Sequence, residues 1–241
     1  TRPVNMEIER TQKDRVGVYT LMYDRVYELL GFNLSSGLEY NFNKVESVGS
    51  QREITILNAP TELAKSRYAD STAKTASYAI YSHWNRGFGK THLSFGGRLN
   101  YYTLDAKFRE TNPWNLPFSD IQFHHLAPTF NVGVVQELFK GFLIKSSINQ
   151  AFRNPNIDDM TKVFESIRGE KVFVPTTDLK PEVSLTHDLN FNWKVSEHVY
   201  VEFGGYYSKV NDLMSDVYGT IAGEDSMEWD GLLTPIYQIK N

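Results

Sequence analysis

The stretch "THLSFGGRLNYY", residues 91–102, places Leu93, Phe95, Leu99 and Tyr101 at odd positions and His92, Ser94, Arg98 and Asn100 at even ones. An extended chain turns successive side chains to opposite faces, so this spacing gives one apolar and one polar side; at 3.6 residues per turn the same residues would be scattered around a cylinder. The pattern recurs. "GFNLSSGLEYNF" (31–42) sets Phe32, Leu34, Leu38, Tyr40 and Phe42 against Asn33, Ser35, Glu39 and Asn41. "VSLTHDLNFNWK" (183–194) sets Val183, Leu185, Leu189, Phe191 and Trp193 against Ser184, Thr186, Asp188, Asn190, Asn192 and Lys194. These are strands with two different environments.

Their length narrows the class. An ordinary globular strand has ~5–6 residues, whereas a tilted strand crossing a bilayer needs ~9–11; several runs here extend to about twelve. Aromatic residues make up 14% of the chain, and they gather near strand ends: Tyr40 with Phe42, Tyr101 with Tyr102, Trp193, Tyr206 with Tyr207. The connections alternate short and long. "DRVYE" (24–28), "NRGFGK" (85–90), "FKG" (139–141) and "VSE" (195–197) are short, while 44–72, 106–121, 153–181 and 211–234 are long. An up-and-down barrel in a membrane puts all its short turns on one side and all its long loops on the other. The expectation is an all-β, antiparallel, partial barrel of about ten strands, from "PVNMEIE" (3–9) to "PIYQIKN" (235–241).

The 241 residues carry a formal net charge of −4, with 25 Lys and Arg dispersed among 29 acids, which gives no electrostatic basis for binding nucleic acid. There is no cysteine, hence no disulfide frame and no thiolate metal site. No apolar run reaches the ~18 residues of a membrane helix. Mean hydropathy is negative, as expected where only alternate residues meet lipid. "GFGKT" (87–91) lacks the glycine spacing of a phosphate loop and lies in a turn between strands. No catalytic constellation is discernible, and no cofactor is expected.

The stretch 151–182 carries a resemblance. Phe152-Arg153-Asn154-Pro155-Asn156 ends one strand, Asp158, Asp159, Lys162, Val163 and Phe164 follow, and Pro175-Thr176-Thr177-Asp178-Leu179-Lys180-Pro181-Glu182 opens the next strand. Together with "YYSKVNDLM" (206–214), these boxes resemble the later half of the barrel in TonB-dependent outer-membrane receptors. The closest match covers about residues 142–214. Independently of the family, Pro155 and Pro181 fix φ and push Asn154 and Lys180 toward extended geometry. Asp158 and Asp159 are placed to cap a short helix over "DDMTKVFES", a lid on the barrel mouth.

The resemblance implies a larger, 22-stranded barrel in the outer membrane of a Gram-negative bacterium. It implies a plug that contacts TonB, and energised uptake of a small-molecule ligand such as a metal chelate. Residues 1–241 are expected to be part of that one barrel domain, with the plug and the last strands outside it. A ferric siderophore or similar iron complex is the first expectation. Haem, cobalamin or glycan uptake, or a soluble β-rich binding protein, are the alternatives. Residues 153–181 contain no histidine, which speaks against haem, and the adjacent His124 and His125 would point to opposite faces of a strand. Arg98, His124, His125, Arg153, Asn156, Arg168 and Lys171 are the candidate ligand contacts in lumen and loops. Phe152, Arg153, Pro155, Asn156, Pro175, Leu179, Lys180, Pro181 and Glu182 are expected to set loop geometry and strand register. Partners are expected to be TonB, through a plug segment, and outer-membrane lipid.

Overall fold

The computed structural model describes residues 7–109, 116–167 and 169–241. One antiparallel sheet dominates. It is built from β1 (Ile8–Leu29), β2 (Phe32–Glu53), β4 (Thr72–Phe88), β5 (Thr91–Lys107), β6 (Asp120–Phe139), β7 (Phe142–Arg153), β10 (Glu182–Lys194) and β11 (Tyr200–Asn211), paired in that order. The short β3 (Glu62–Ala64) adds to β2 as a ninth strand. Every long neighbour pair is antiparallel, and the described wall ends at β1 and β11 without closing. A meander of this kind follows from short turns that return the chain beside itself.

The two faces are those of the sequence pattern. On β5, Leu93, Phe95, Leu99 and Tyr101 are each about 40% exposed, while Asn100, Leu104 and Ala106 on the other side are buried. Continuous outward rows cross the wall; one runs through Tyr27, Leu34, Trp84, Phe95, Val132 and Ile148. Aromatic rings mark two levels on this outer face. Phe32, Trp84, Phe88 and Phe95 form a cluster near the short turns, with Phe139, Phe142 and Trp193 farther round. Tyr40 with Tyr78 and Tyr19 with Phe42 mark the other level. From Phe32 to Phe42 the strand rises about 34 Å. At a tilt near 40° that is a height of about 26 Å, close to the ~25 Å apolar band of an outer-membrane barrel.

Turn positions refine the expected rhythm. Residues 24–28 lie inside β1, and the reversal occurs at Leu30 (φ 54) and Gly31 (φ 74). The other short connections fall as expected, at 89–90, 140–141 and 195–199. β2 continues to Glu53, so the first long connection starts later than residue 44. Residues 3–6, at the start of the first expected strand, lie outside the described residues.

The long loops are ordered where the expectation was only of length. They carry a second, five-stranded sheet of β8 (Phe164–Ile167), β9 (Lys171–Phe173), β12 (Ser215–Tyr218), β13 (Ser226–Trp229) and β14 (Leu232–Lys240). Residues 235–241, expected as a wall strand, lie largely in β14, which pairs with β12, with β13 and, in parallel, with β9. A hydrophobic core joins this sheet to the inner face of the wall. It contains Ala73, Leu104, Ala106 and Ile121 of the wall with Met160, Val172, Val174, Leu179, Trp229 and Ile236 of the loops. The molecule is thus a wall with a folded cap at its long-loop end.

Candidate functional site

The helix α1 (Ile157–Thr161) starts at the end of β7, where Asn154-Pro155 leaves the sheet. Its N-cap is Asn156, not Asp158 or Asp159 as the sequence suggests. The Asp159 amide donates to Asn156 Oδ1 at 2.9 Å and the Asn156 amide to an Asp159 carboxylate oxygen at 3.0 Å, a reciprocal capping box. The helix is also shorter than expected: Lys162 is already extended, and Phe164 begins a strand. Ile157, Met160 and Thr161 face the cap core.

Arg153 binds the two boxes together. Its guanidinium donates twice to Asp159, at 2.9 and 2.8 Å, and lies 3.5 Å from Glu182, its partner across the β7–β10 ladder. Glu182 in turn accepts from the Met214 amide at 2.8 Å, which anchors the loop after β11. Asn241 Oδ1 accepts from the Lys180 amide and its Nδ2 donates to the Lys180 carbonyl. Pro155, Pro175, Leu179 and Pro181 are buried, while Phe152 on the outer face is half-buried. Lys171 donates to Asp216 at 2.8 Å and stands over the rings of Phe173 and Tyr237, tying the 154–181 loop to β12 and β14. Arg168 lies outside the described residues.

Between α1 and the inner face of the wall is a pocket of about 540 Å³, within the ~300–1,000 Å³ range of small-molecule sites. Its lining includes Asn43, Thr75, Tyr102, Tyr68, Asn154 and Asp158. Asn154 Oδ1 is buried and has no hydrogen-bond partner among the described residues, a cost that a bound donor would offset. Burial raises the Tyr68 hydroxyl above its ordinary value, and Asp158 adds to this. Burial also opposes ionisation of Asp158, but Lys162 and Arg67 outweigh it and hold the carboxyl below its usual range. Arg67 donates to Asp158 Oδ1 at 3.0 Å, so the first long loop is tied to α1 at the rim of the pocket.

Deeper along the same face, Arg98 donates to Glu39 at 3.0 Å, Glu39 accepts from Asn41, and the Tyr81 hydroxyl donates to Asp24. Gly37 permits this: a Cβ there would stand 2.5 Å from the Tyr81 hydroxyl. Arg98 also lines a smaller groove with His83, Asn131 and Asn149. The lumen is therefore a hydrogen-bonded polar lattice with Arg98 ion-paired inside it.

The two adjacent histidines part as expected. His124 is on the exposed outer face, and His125 is half-buried on the inner face, directly opposite Tyr102 in the ladder. Among the described residues no group of three or more His, Cys, Asp or Glu gathers to hold a metal. Of the sequence candidates, Asn156 lines the pocket, Arg153 braces it from behind, and Arg98 lies deeper along the same face. Tyr68, Tyr102 and Asn154 escaped sequence reading. They lie far apart in the chain; Tyr102 follows Tyr101 near a strand end and reads as a girdle aromatic, and Tyr68 lies in a long connection without a periodic pattern.

A family model described as TonB dependent receptor-like, beta-barrel, matches residues 6–240. It describes receptor barrels and not an enzyme. A search of curated proteins gave no match. Among solved structures, the copper transporter OprC superposes with a TM-score of 0.67 at 16% identity, over 95% of this chain and 33% of that one. The hemophore receptor HasR of Serratia marcescens, solved as a double mutant with its hemophore HasA and heme, gives 0.67 at 13% identity, over 95% and 38%. The FrpB iron transporter of Neisseria meningitidis gives 0.54 at 11% identity, over 95% and 31%. At such identities the likeness is one of fold. The chain spans about a third of the length of these proteins.

Proposed function

We propose, from the premise that this chain belongs to the TonB-dependent receptor family, that the protein takes up a small ligand across the outer membrane of a Gram-negative bacterium with energy supplied through TonB. The 241 residues form part of the barrel wall and the extracellular cap, and the long loops face outward. TonB reaches the protein through a plug segment outside this chain, and lipid surrounds the outer face.

The ligand is a metal chelate of the ferric siderophore type, bound first in the pocket between α1 and the wall. The observation that carries this is the lining. Tyr68, Tyr102, Asn43, Thr75 and the orphaned Asn154 carbonyl suit the polar organic shell of a chelate rather than a bare ion. The copper, heme and iron named for the similar structures belong to those proteins. The test is binding of ferric hydroxamates, ferric catecholates, haem and cobalamin to the full-length protein in detergent, compared with Tyr102→Phe and Asn154→Ala. Loss of one neutral hydrogen bond weakens binding about fivefold. Affinity of the bound chelate should fall by that factor in each variant, and unchanged affinity in both would remove the pocket from the reading.

Haem is the second reading, because His125 faces the lumen opposite Tyr102. Haem binding abolished by His125→Ala, with no chelate bound, would favour it.

A further inference from the structure

We infer that the outer face of the wall carries a binding site for an anionic phospholipid of the leaflet nearer the short turns. Across the wall, Arg25 stands beside Ser36, Ser36 beside Ser82, and Ser82 beside Gly97, all with outward-facing positions. Three small residues in a row leave a trough where neighbouring rows carry Tyr, Leu, Ile or Trp. The trough is a groove of about 800 Å³, flanked by Tyr23, Tyr27, Leu38, Ile80 and Leu99.

The groove has a polar end. Ser36 Oγ and Ser82 Oγ are 2.7 Å apart, Trp84 Nε1 donates to Ser82 Oγ at 2.8 Å, and the Tyr27 hydroxyl is 3.4 Å from Ser36 Oγ. The Arg25 guanidinium lies 5.6 Å from the Tyr27 ring centre. No described carboxylate forms an ion pair with it. Between the two aromatic levels, Arg25 is the one permanently charged residue with an outward position on β1, β2, β4, β5 and β6. A guanidinium on a lipid-facing surface is costly unless it meets an anion, and its planar fork matches phosphate oxygens. The polar end lies on the side of the Leu30–Gly31 turn. A second outward groove of about 520 Å³ continues away from that turn, lined by Leu21, Tyr23, Leu38, Tyr40, Tyr78 and Leu126 among others. A headgroup phosphate at Arg25 and the two serines, with an acyl chain along Leu38, Ile80 and Tyr40, matches this change from polar to apolar.

The test is native mass spectrometry of the full-length protein released from mild detergent, with phosphatidylglycerol or phosphatidylcholine of identical acyl chains added. One phosphatidylglycerol should remain bound in preference to phosphatidylcholine by about fivefold, the worth of one basic residue near a lipid surface. Arg25→Gln should abolish that preference. Gly97→Leu should displace both lipids, because a Cβ there meets only the Thr129 carbonyl, at 4.0 Å, and the added side chain fills the trough. Unchanged heat-modifiable gel migration confirms that each variant is folded. Equal retention of the two lipids, a preference that survives Arg25→Gln, competition by inorganic phosphate, or a dimer of the protein in place of bound lipid would each overturn the assignment.

Discussion

Arg153 joins three segments: the end of β7, the first turn of α1 through Asp159, and the start of β10 through Glu182. Arg153 of the first box thus meets Glu182 of the second and Asp159 in the loop between them. Arg153→Lys retains the charge but not the two-pronged geometry. It should loosen the 154–181 loop by roughly 1 kcal/mol, read as faster amide exchange in α1 with unchanged exchange in β5. Asp158 adds a pH dependence. Its carboxyl is held below its usual range in the fold, so its contribution is fully present above the ordinary carboxylate value and is lost as pH falls through the depressed one. Amide protection around residues 157–162 should therefore decline on acidification below about pH 4, and Asp158→Asn should flatten that decline. The boxes were legible as chain-bending prolines with charges between them. The cap residue was misassigned because Asn156, Asp158 and Asp159 are all good caps, and only the backbone decides which stands outside the first turn.

The first hairpin turns later than its sequence pattern suggests. β1 and β2 pair over 22 residues each, yet the polar run at 24–28 suggested an earlier turn. The actual reversal puts Leu30, a residue without turn chemistry, at φ 54. Left-handed backbone costs a non-glycine residue roughly 1 kcal/mol. Leu30→Asn should raise stability by up to about that amount, seen as a higher urea midpoint for refolding into detergent micelles. Arg86, which donates to the Leu30 carbonyl at 2.7 Å and stacks over Phe32 and Phe88, holds the strained turn in place. The cap depends on different residues. Met160 is fully buried in its core, and Met160→Ala should cost about 2–5 kcal/mol. Protease cleavage within 154–181 should then rise while heat-modifiable migration stays unchanged, because the wall does not rest on Met160.

The whole molecule divides in the same way as the legibility of its sequence. The wall could be read because its pattern is local: each strand states its two faces within twelve residues, and each short turn pairs it with its neighbour. The second sheet could not. Its parallel pairing of Val172 with Ile236 joins segments 64 positions apart, and nothing in either segment names the other. The pocket inherits that limit, since Tyr68, Tyr102 and Asn154 meet only once the cap is folded.

All of this requires that lipid touch Leu93, Phe95, Leu99 and Tyr101 while the lumen holds Ser94, Arg98 and Asn100. These 241 residues contain no cysteine, so a cysteine introduced among them is the single labelling site once any elsewhere in the full-length protein is replaced. The decisive measurement is nitroxide accessibility at each of positions 93–101 in turn, in the full-length protein reconstituted into bilayers, with dioxygen as the lipid-soluble probe and a nickel chelate as the water-soluble one. Dioxygen accessibility should peak at 93, 95, 97, 99 and 101 and the nickel chelate should favour the positions between. Two faces equally shielded from both probes, or equally open to the chelate, would mean that the apolar rows face protein or water and that the wall does not cross a membrane.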